Sequence, residues 1–242
     1  MRRLLLLLAA LPLSLPAQER TETRELIGQI GSRSALLILH ASRVGDGPWQ
    51  LAGEYIILGT LQRRFLDGES SPEIGVTTLR EGSTPILFGR SPTGELRGTW
   101  RGGVFKGTRF APGGQERERF EFTEEFPALD GYSASVRCEA AAGGYASSLS
   151  YVIDSGKLRS FEWRSRDTPS GHACTVSSVE QRPMKGGIRL ASGRCSLTLR
   201  DLGDYLRISA DNCTEQCGSQ AYFEPLLIDR RGNCRLLRPD TR

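Results

Sequence analysis

The sequence predicts an all-β protein: an antiparallel barrel or meander, followed by a second small disulfide-stapled β domain. Three observations carry this reading. Short apolar or alternating runs recur along the chain, separated by clusters of turn residues. No run of ten or more residues shows the apolar spacing of an amphipathic helix. All six cysteines lie in the second half, at Cys138, Cys174, Cys195, Cys213, Cys217 and Cys234.

In the cysteine-free half, ALLILHA (35–41) is continuously apolar, as a strand buried on both faces would be. Seven further runs follow: GEYIILG, LQRRFLD, VTTLRE, TPILFGR (84–90), ELRGTW, VFKGTRF and RERFEF. DGESSPE, EGS, RSPTGE, RGG and APGGQ punctuate them as turns. Thr21 to Ile30 is read as one or two helical turns. Composition changes near Phe126-Pro127-Ala128, which sets expected domains of 19–127 and 128–242. Beyond that point SLSYVID and KLRSFEWRS flank a Ser155-Gly156 hairpin turn. CTVSSVEQR, GGIRLAS, CSLTLRD, DYLRISA and AYFEPLLID continue the strands, while RSRDTPSGHA (164–173) reads as an irregular loop.

The stretch LRGTWRGGVFKGTRF (96–110) carries basic and aromatic residues that resemble a nucleic-acid strip. Alternation gives another account. Side chains two apart in a strand share a face. Leu96, Gly98 and Trp100 therefore share one face, and Phe105, Gly107 and Arg109 match them across a Gly102-Gly103 turn. Arg97, Arg101 and Lys106 fall on the solvent side. Only Arg109 occupies the inner face, where it would pair with a carboxylate or an anionic ligand, or else reach water from a rim. Glycines at matching places in both arms mark a bent sheet or a close backbone approach.

The first residues, MRRLLLLLAALPLSLPAQE, have the form of a secretory signal peptide over 1–17, cleaved near Ala17. Its apolar run is shorter than the roughly 20 residues of a spanning helix. No transmembrane segment is expected elsewhere. Removal of Arg2 and Arg3 takes the formal charge from +4 to +2, too near neutral to indicate a nucleic-acid partner. Export and an even cysteine count point to disulfides. Zinc would need a second short pair beside Cys213 and Cys217, and none exists. Spacing does not choose among the pairings. A hairpin through Leu202-Gly203-Asp204 would bring Cys195 near Cys213.

The order GEYIILG, LRGTWRGGVFKGTRF, RERFEF (about 53–122) resembles a β-barrel-like module of exported bacterial proteins. That module carries a G-x-Y strand, here Gly53 and Tyr55, and paired G-x-W/F strands, here including Trp100. Arg109 departs from the aromatic expected at its place. YLRISADNCTEQCGSQAYFEPLL is similar to the Cys-x-x-x-Cys-Gly ending of some lysozyme-inhibitor-like periplasmic proteins. Together these imply an envelope protein that binds another protein or a glycan.

Catalytic motifs are poor. His40, Asp67 and Ser155 stand in the order of a trypsin-like triad, but Ile153 and Lys157 replace the glycines that flank such a serine. Two histidines, His40 and His172, exclude a multi-histidine metal centre. The expected function is therefore non-catalytic binding of an extracellular protein, envelope component or glycan. Inhibition of an extracellular enzyme such as lysozyme is one form of it. The alternatives are an envelope assembly role and, last, a hydrolase. No cofactor is expected. Arg109, Trp100 and Tyr55 are the candidate ligand-binding residues.

Overall fold

Eight strands open the chain, and local alternation explains each. The computed structural model describes residues 19–70, 75–84, 92–177, 179–182, 184–218 and 223–237. β1 (Glu19–Ile30), β2 (Arg33–Val44), β3 (Trp49–Ile57), β4 (Gln62–Ser70), β5 (Val76–Gly82), β6 (Gly94–Arg101), β7 (Val104–Phe110) and β8 (Glu116–Thr123) form a closed antiparallel barrel. Each strand pairs with its sequence neighbour, and β8 returns to β1. The expected signal segment lies outside the described residues, as does nearly all of TPILFGR.

The helical reading of Thr21 to Ile30 is overturned. That segment is part of β1, whose twelve residues all pair with β2. Its Glu-Arg-Thr-Glu-Thr-Arg-Glu alternation suits a strand, and pairing decides what local propensity leaves open. The closing contact is short, since β1 meets β8 only over Ile27–Ile30. The first part of β1 therefore runs on past β8 as a free edge, paired with β2 alone, while β2 goes on pairing with β3 as far as Ser42; this overhanging edge forms a lip above the closed ring.

Alternate residues fill the interior. Leu26, Leu37, Leu66, Leu79, Leu96, Phe105, Phe120 and Phe122 are buried there and occupy the middle of the barrel. The glycine reading of the 96–110 hairpin is correct in detail. Gly98 and Gly107 are direct cross-strand partners. A Cβ on Gly107 would lie 1.9 Å from the Arg97 carbonyl oxygen, and one on Gly98 would lie 2.8 Å from the Phe105 and Phe120 rings. The sheet coils tightly here because neither position carries a side chain.

The second half contains two antiparallel sheets. β9 (Ala134–Ala142), β10 (Tyr145–Asp154), β11 (Lys157–Asp167) and β12 (Ala173–Val176) form the first, in the order β12-β11-β10-β9. β13 (Glu180–Arg182), β14 (Ile188–Ser192), β15 (Cys195–Asp201), β16 (Tyr205–Asp211), β17 (Leu226–Asp229) and β18 (Cys234–Leu236) form the second, in sequence order. Their inner faces share one core around Trp163, Tyr151, Leu149, Leu197 and Ile228. Ser155 and Gly156 turn β10 into β11 with φ of 51° and 75°, the left-handed pair of a tight hairpin. β9 has no counterpart among the expected strands, because its alanine-rich Ala-Ser-Val-Arg-Cys-Glu-Ala-Ala-Ala gives a weak apolar alternation. The expected loop over 164–173 is narrower, since β11 runs to Asp167 and β12 starts at Ala173.

Three disulfides staple this half. Cys195–Cys213 joins β15 to the loop after β16, as the hairpin predicts. Cys138–Cys234 ties β9 to β18, and Cys174–Cys217 ties β12 to the single helical turn α1 (Thr214–Cys217). The Cys-x-x-x-Cys pair thus reaches both sheets rather than closing on itself. Such cross-links suit an oxidising compartment. Among the described residues, no helix is long and apolar enough to cross a membrane.

The halves share an apolar contact. Leu36, Ile56 and Leu58 on the outside of the barrel pack with Phe126, Leu202, Leu227 and Leu237. This is why ALLILHA is apolar on both faces. Beside it, the Glu25 carboxylate meets the Arg207 Nη1 at 2.6 Å and the Arg200 Nε at 3.4 Å.

Candidate functional site

The barrel interior is apolar in the middle and polar at one end. There Glu81, on the inward alternation Thr77-Leu79-Glu81 of β5, is fully buried. Arg109 on β7 donates Nε to one Glu81 oxygen at 2.7 Å and Nη2 to the other at 2.8 Å. The Tyr55 hydroxyl donates to Glu81 at 2.9 Å, and Arg64 Nε lies 3.4 Å away. Glu118 extends the network, with Arg109 Nη1 at 3.3 Å and Arg33 Nη2 at 2.7 Å.

Electrostatics follow from these contacts. Burial pulls the Glu81 carboxyl toward protonation, but Arg109, the Tyr55 hydroxyl and Arg64 outweigh it and hold it below its ordinary value. Burial raises the Tyr55 hydroxyl, and the Glu81 charge beside it adds to the effect. The hydrogen bonds to Glu81 push the Arg109 guanidinium further up, so it stays charged. Arg109 does face inward, and of the outcomes the alternation leaves open it takes pairing with a carboxylate. A bidentate guanidinium–carboxylate pair of this kind orients both groups firmly. Arg109 and Tyr55 therefore spend their polar atoms on the barrel's own Glu81.

Trp100 lies elsewhere. It pairs across the β6–β7 hairpin with Phe105, and Arg109 is four residues further along β7, about 13 Å at strand rise. Its ring stacks on Phe105 at 4.8 Å between centroids, with the Arg24 guanidinium 5.1 Å from the Trp100 ring. Trp49 faces it from the start of β3. Between them opens a cavity of about 200 Å³ at the lip end of the barrel, lined also by Leu39, Ala41, Leu51 and the Glu22–Arg24 ion pair. The three expected residues are thus split: Trp100 lines a cavity, while Tyr55 and Arg109 join at the opposite end.

Sequence reasoning missed Trp49, Glu81 and Arg43. All three are signalled by alternation. Trp49, Leu51, Gly53 and Tyr55 fall on one face of β3, and Leu37, Leu39, Ala41 and Arg43 on one face of β2. The Arg43 guanidinium lies 4.9 Å from the Trp49 ring, and its buried Nε has no hydrogen-bond partner among the described residues. Two of the exposed large apolar side chains, Val44 and Val76, stand at this same end, at 62% and 37% exposure.

The candidate triad is not assembled. His40 and Asp67 line a groove of about 390 Å³ on the outside of the barrel. His40 Nδ1 lies 3.0 Å from the Thr23 hydroxyl, and Asp67 pairs with Arg80. Ser155 is on the β10–β11 turn in the other half, where its hydroxyl donates to Asp154. Among the described residues, no group of three or more His, Cys, Asp or Glu side chains is placed to hold a metal ion. No family model matches the chain, and no curated protein or solved structure is significantly similar to it.

Proposed function

We propose that this is an exported, non-catalytic binding protein of the bacterial envelope, and that it binds at the aromatic mouth of its barrel. The observation that carries the reading is the cavity between Trp49 and Trp100 in a barrel otherwise filled by its own side chains. Binding sites are typically concave and mostly apolar, with a few polar groups at the edge. The mouth fits that description, with apolar walls and the Glu22–Arg24 pair beside them. The polar end does not, because its charges already satisfy one another. Three disulfides and the leader-like N-terminal sequence support export. A rigid barrel suits this task, since a site on paired strands is held more firmly than one on loops.

The test compares the oxidised protein with Ala41→Phe, which places a ring inside the cavity. Each is incubated with envelope extract, recovered, and examined by mass spectrometry for retained molecules. The wild type should retain a species that Ala41→Phe does not. Identical retention by both, with the variant folded by circular dichroism, overturns the reading.

A further inference from the structure

The lip above the cavity carries an unusual charge arrangement. Arg20 on β1 and Arg43 on β2 are direct cross-strand partners, both on the inward alternation. Like charges directly opposite in a sheet are destabilising. Arg24, which lines the cavity, has carboxylate partners in Glu22 and Glu124. Among the described residues neither Arg20 nor Arg43 has a carboxylate within ion-pairing distance. Arg43 instead lies over Trp49 with its buried Nε unpartnered. A buried donor without an acceptor is costly, so a water or a ligand atom belongs beside it, as it does beside the similarly placed Nε of Arg200 and Arg207.

We infer that the mouth binds a small organic anion: a ring-sized apolar body between Trp49 and Trp100, with a carboxylate or similar group held by Arg43 and Arg20. This rests on the mouth being the binding site and names the class of ligand it takes. Size supports it. An apolar cavity of about 150 Å³ accepts benzene, and this one is about 200 Å³. The space suits a single ring with a short substituent, not a lipid chain or a drug-sized molecule. Charge supports it too. Glu22, the acid lining the cavity, is already held by Arg24 at 2.7 Å. Arg43 lies over the Trp49 ring that walls the cavity, with Arg20 directly opposite it on β1, and guanidinium forks match carboxylates bidentately.

The test uses phenylacetate, its neutral counterpart phenylacetamide, and the cation phenethylamine. Binding is followed through the indole N–H resonances of the three tryptophans. Trp163, whose Nε1 donates to Ser147 in the second half, serves as an internal control. Phenylacetate should shift Trp49 and Trp100 but not Trp163. It should bind about tenfold more tightly than phenylacetamide, as expected for one charge-assisted contact. Phenethylamine should be weakest. Arg43→Gln, and separately Arg20→Gln, should weaken phenylacetate and leave phenylacetamide unchanged; both positions are at the lip, away from the packed core. Equal affinities for acid and amide, or no effect of either arginine variant, overturn the anion assignment while the ring-binding mouth stands. No shift of Trp49 or Trp100 by any of the three at about 10 mM, where a fragment this small should register, overturns the mouth reading and the anion assignment together.

Discussion

Replacing Glu81 by Gln keeps the shape of the side chain and removes its charge from the buried end of the barrel. Glu81 has no exposed surface, and it accepts two hydrogen bonds from Arg109 and one from Tyr55. Removing one partner of a buried ion pair costs roughly 3–5 kcal/mol, because the remaining charge is left uncompensated. Here Arg109 is 19% exposed and retains Glu118 at 3.3 Å. The expected cost is therefore at the low end, about 3 kcal/mol. With a urea m-value of about 2 kcal/mol/M, the midpoint falls by about 1.5 M. The assay is urea unfolding followed by Trp49 and Trp100 fluorescence, with Trp163→Phe in both backgrounds. The double variant Glu81→Leu, Arg109→Leu should recover most of the loss, since replacing both partners by apolar groups is often neutral or better. A coupling energy below about 0.5 kcal/mol in the resulting cycle would show that the pair does not hold this end together.

The same carboxylate sets a pH dependence. Its folded value lies below the ordinary 4.5, so the unfolded chain binds the proton first as pH falls. The stabilisation is present above about 4.5 and is lost as pH drops through the folded value. Wild-type stability should fall more steeply than that of Glu81→Gln in that window by chemical denaturation at stepped pH; parallel curves would refute this. Gly107→Ala should cost about 2–3 kcal/mol by the same unfolding assay, because its Cβ meets backbone 1.9 Å away, and a neutral result would mean the hairpin can shift. Loss of Cys138–Cys234, which spans 96 residues, should destabilise the second half more than loss of Cys195–Cys213, which spans 18. Chain-entropy costs for such loops are about 4.7 and 3 kcal/mol, and calorimetry of paired Cys→Ala variants compares them. Glu25→Gln leaves Arg207, whose side chain is 6% exposed, without its carboxylate. The two halves should then unfold at separate midpoints, reported by Trp100 and Trp163; a single shared transition would refute a role in holding them together.

Arg109 shows how far local reasoning reaches. Its inward direction follows from the alternation of VFKGTRF alone, which leaves a carboxylate, an anionic ligand or a rim position open. Its partner does not. Glu81 lies 28 residues earlier and meets it only because β5, β6 and β7 pair in one register. Trp100 and Arg109 share a face in the sequence, yet one lines the mouth and the other closes the far end. Thr21 to Ile30 failed for the related reason that a short charged segment takes its conformation from the strand it pairs with.

The sequence by itself determined the β class, the inward and outward set of each well-patterned strand and the glycine-bent hairpin, and it brought Cys195 near Cys213. These are local, because a strand's period of two is fixed by backbone geometry within a few residues. Only the tertiary structure decided which inward residues meet, which of them are spent on one another, and where a cavity remains. Those outcomes depend on strand register and barrel closure, which join residues far apart in the chain and which no short window of sequence encodes.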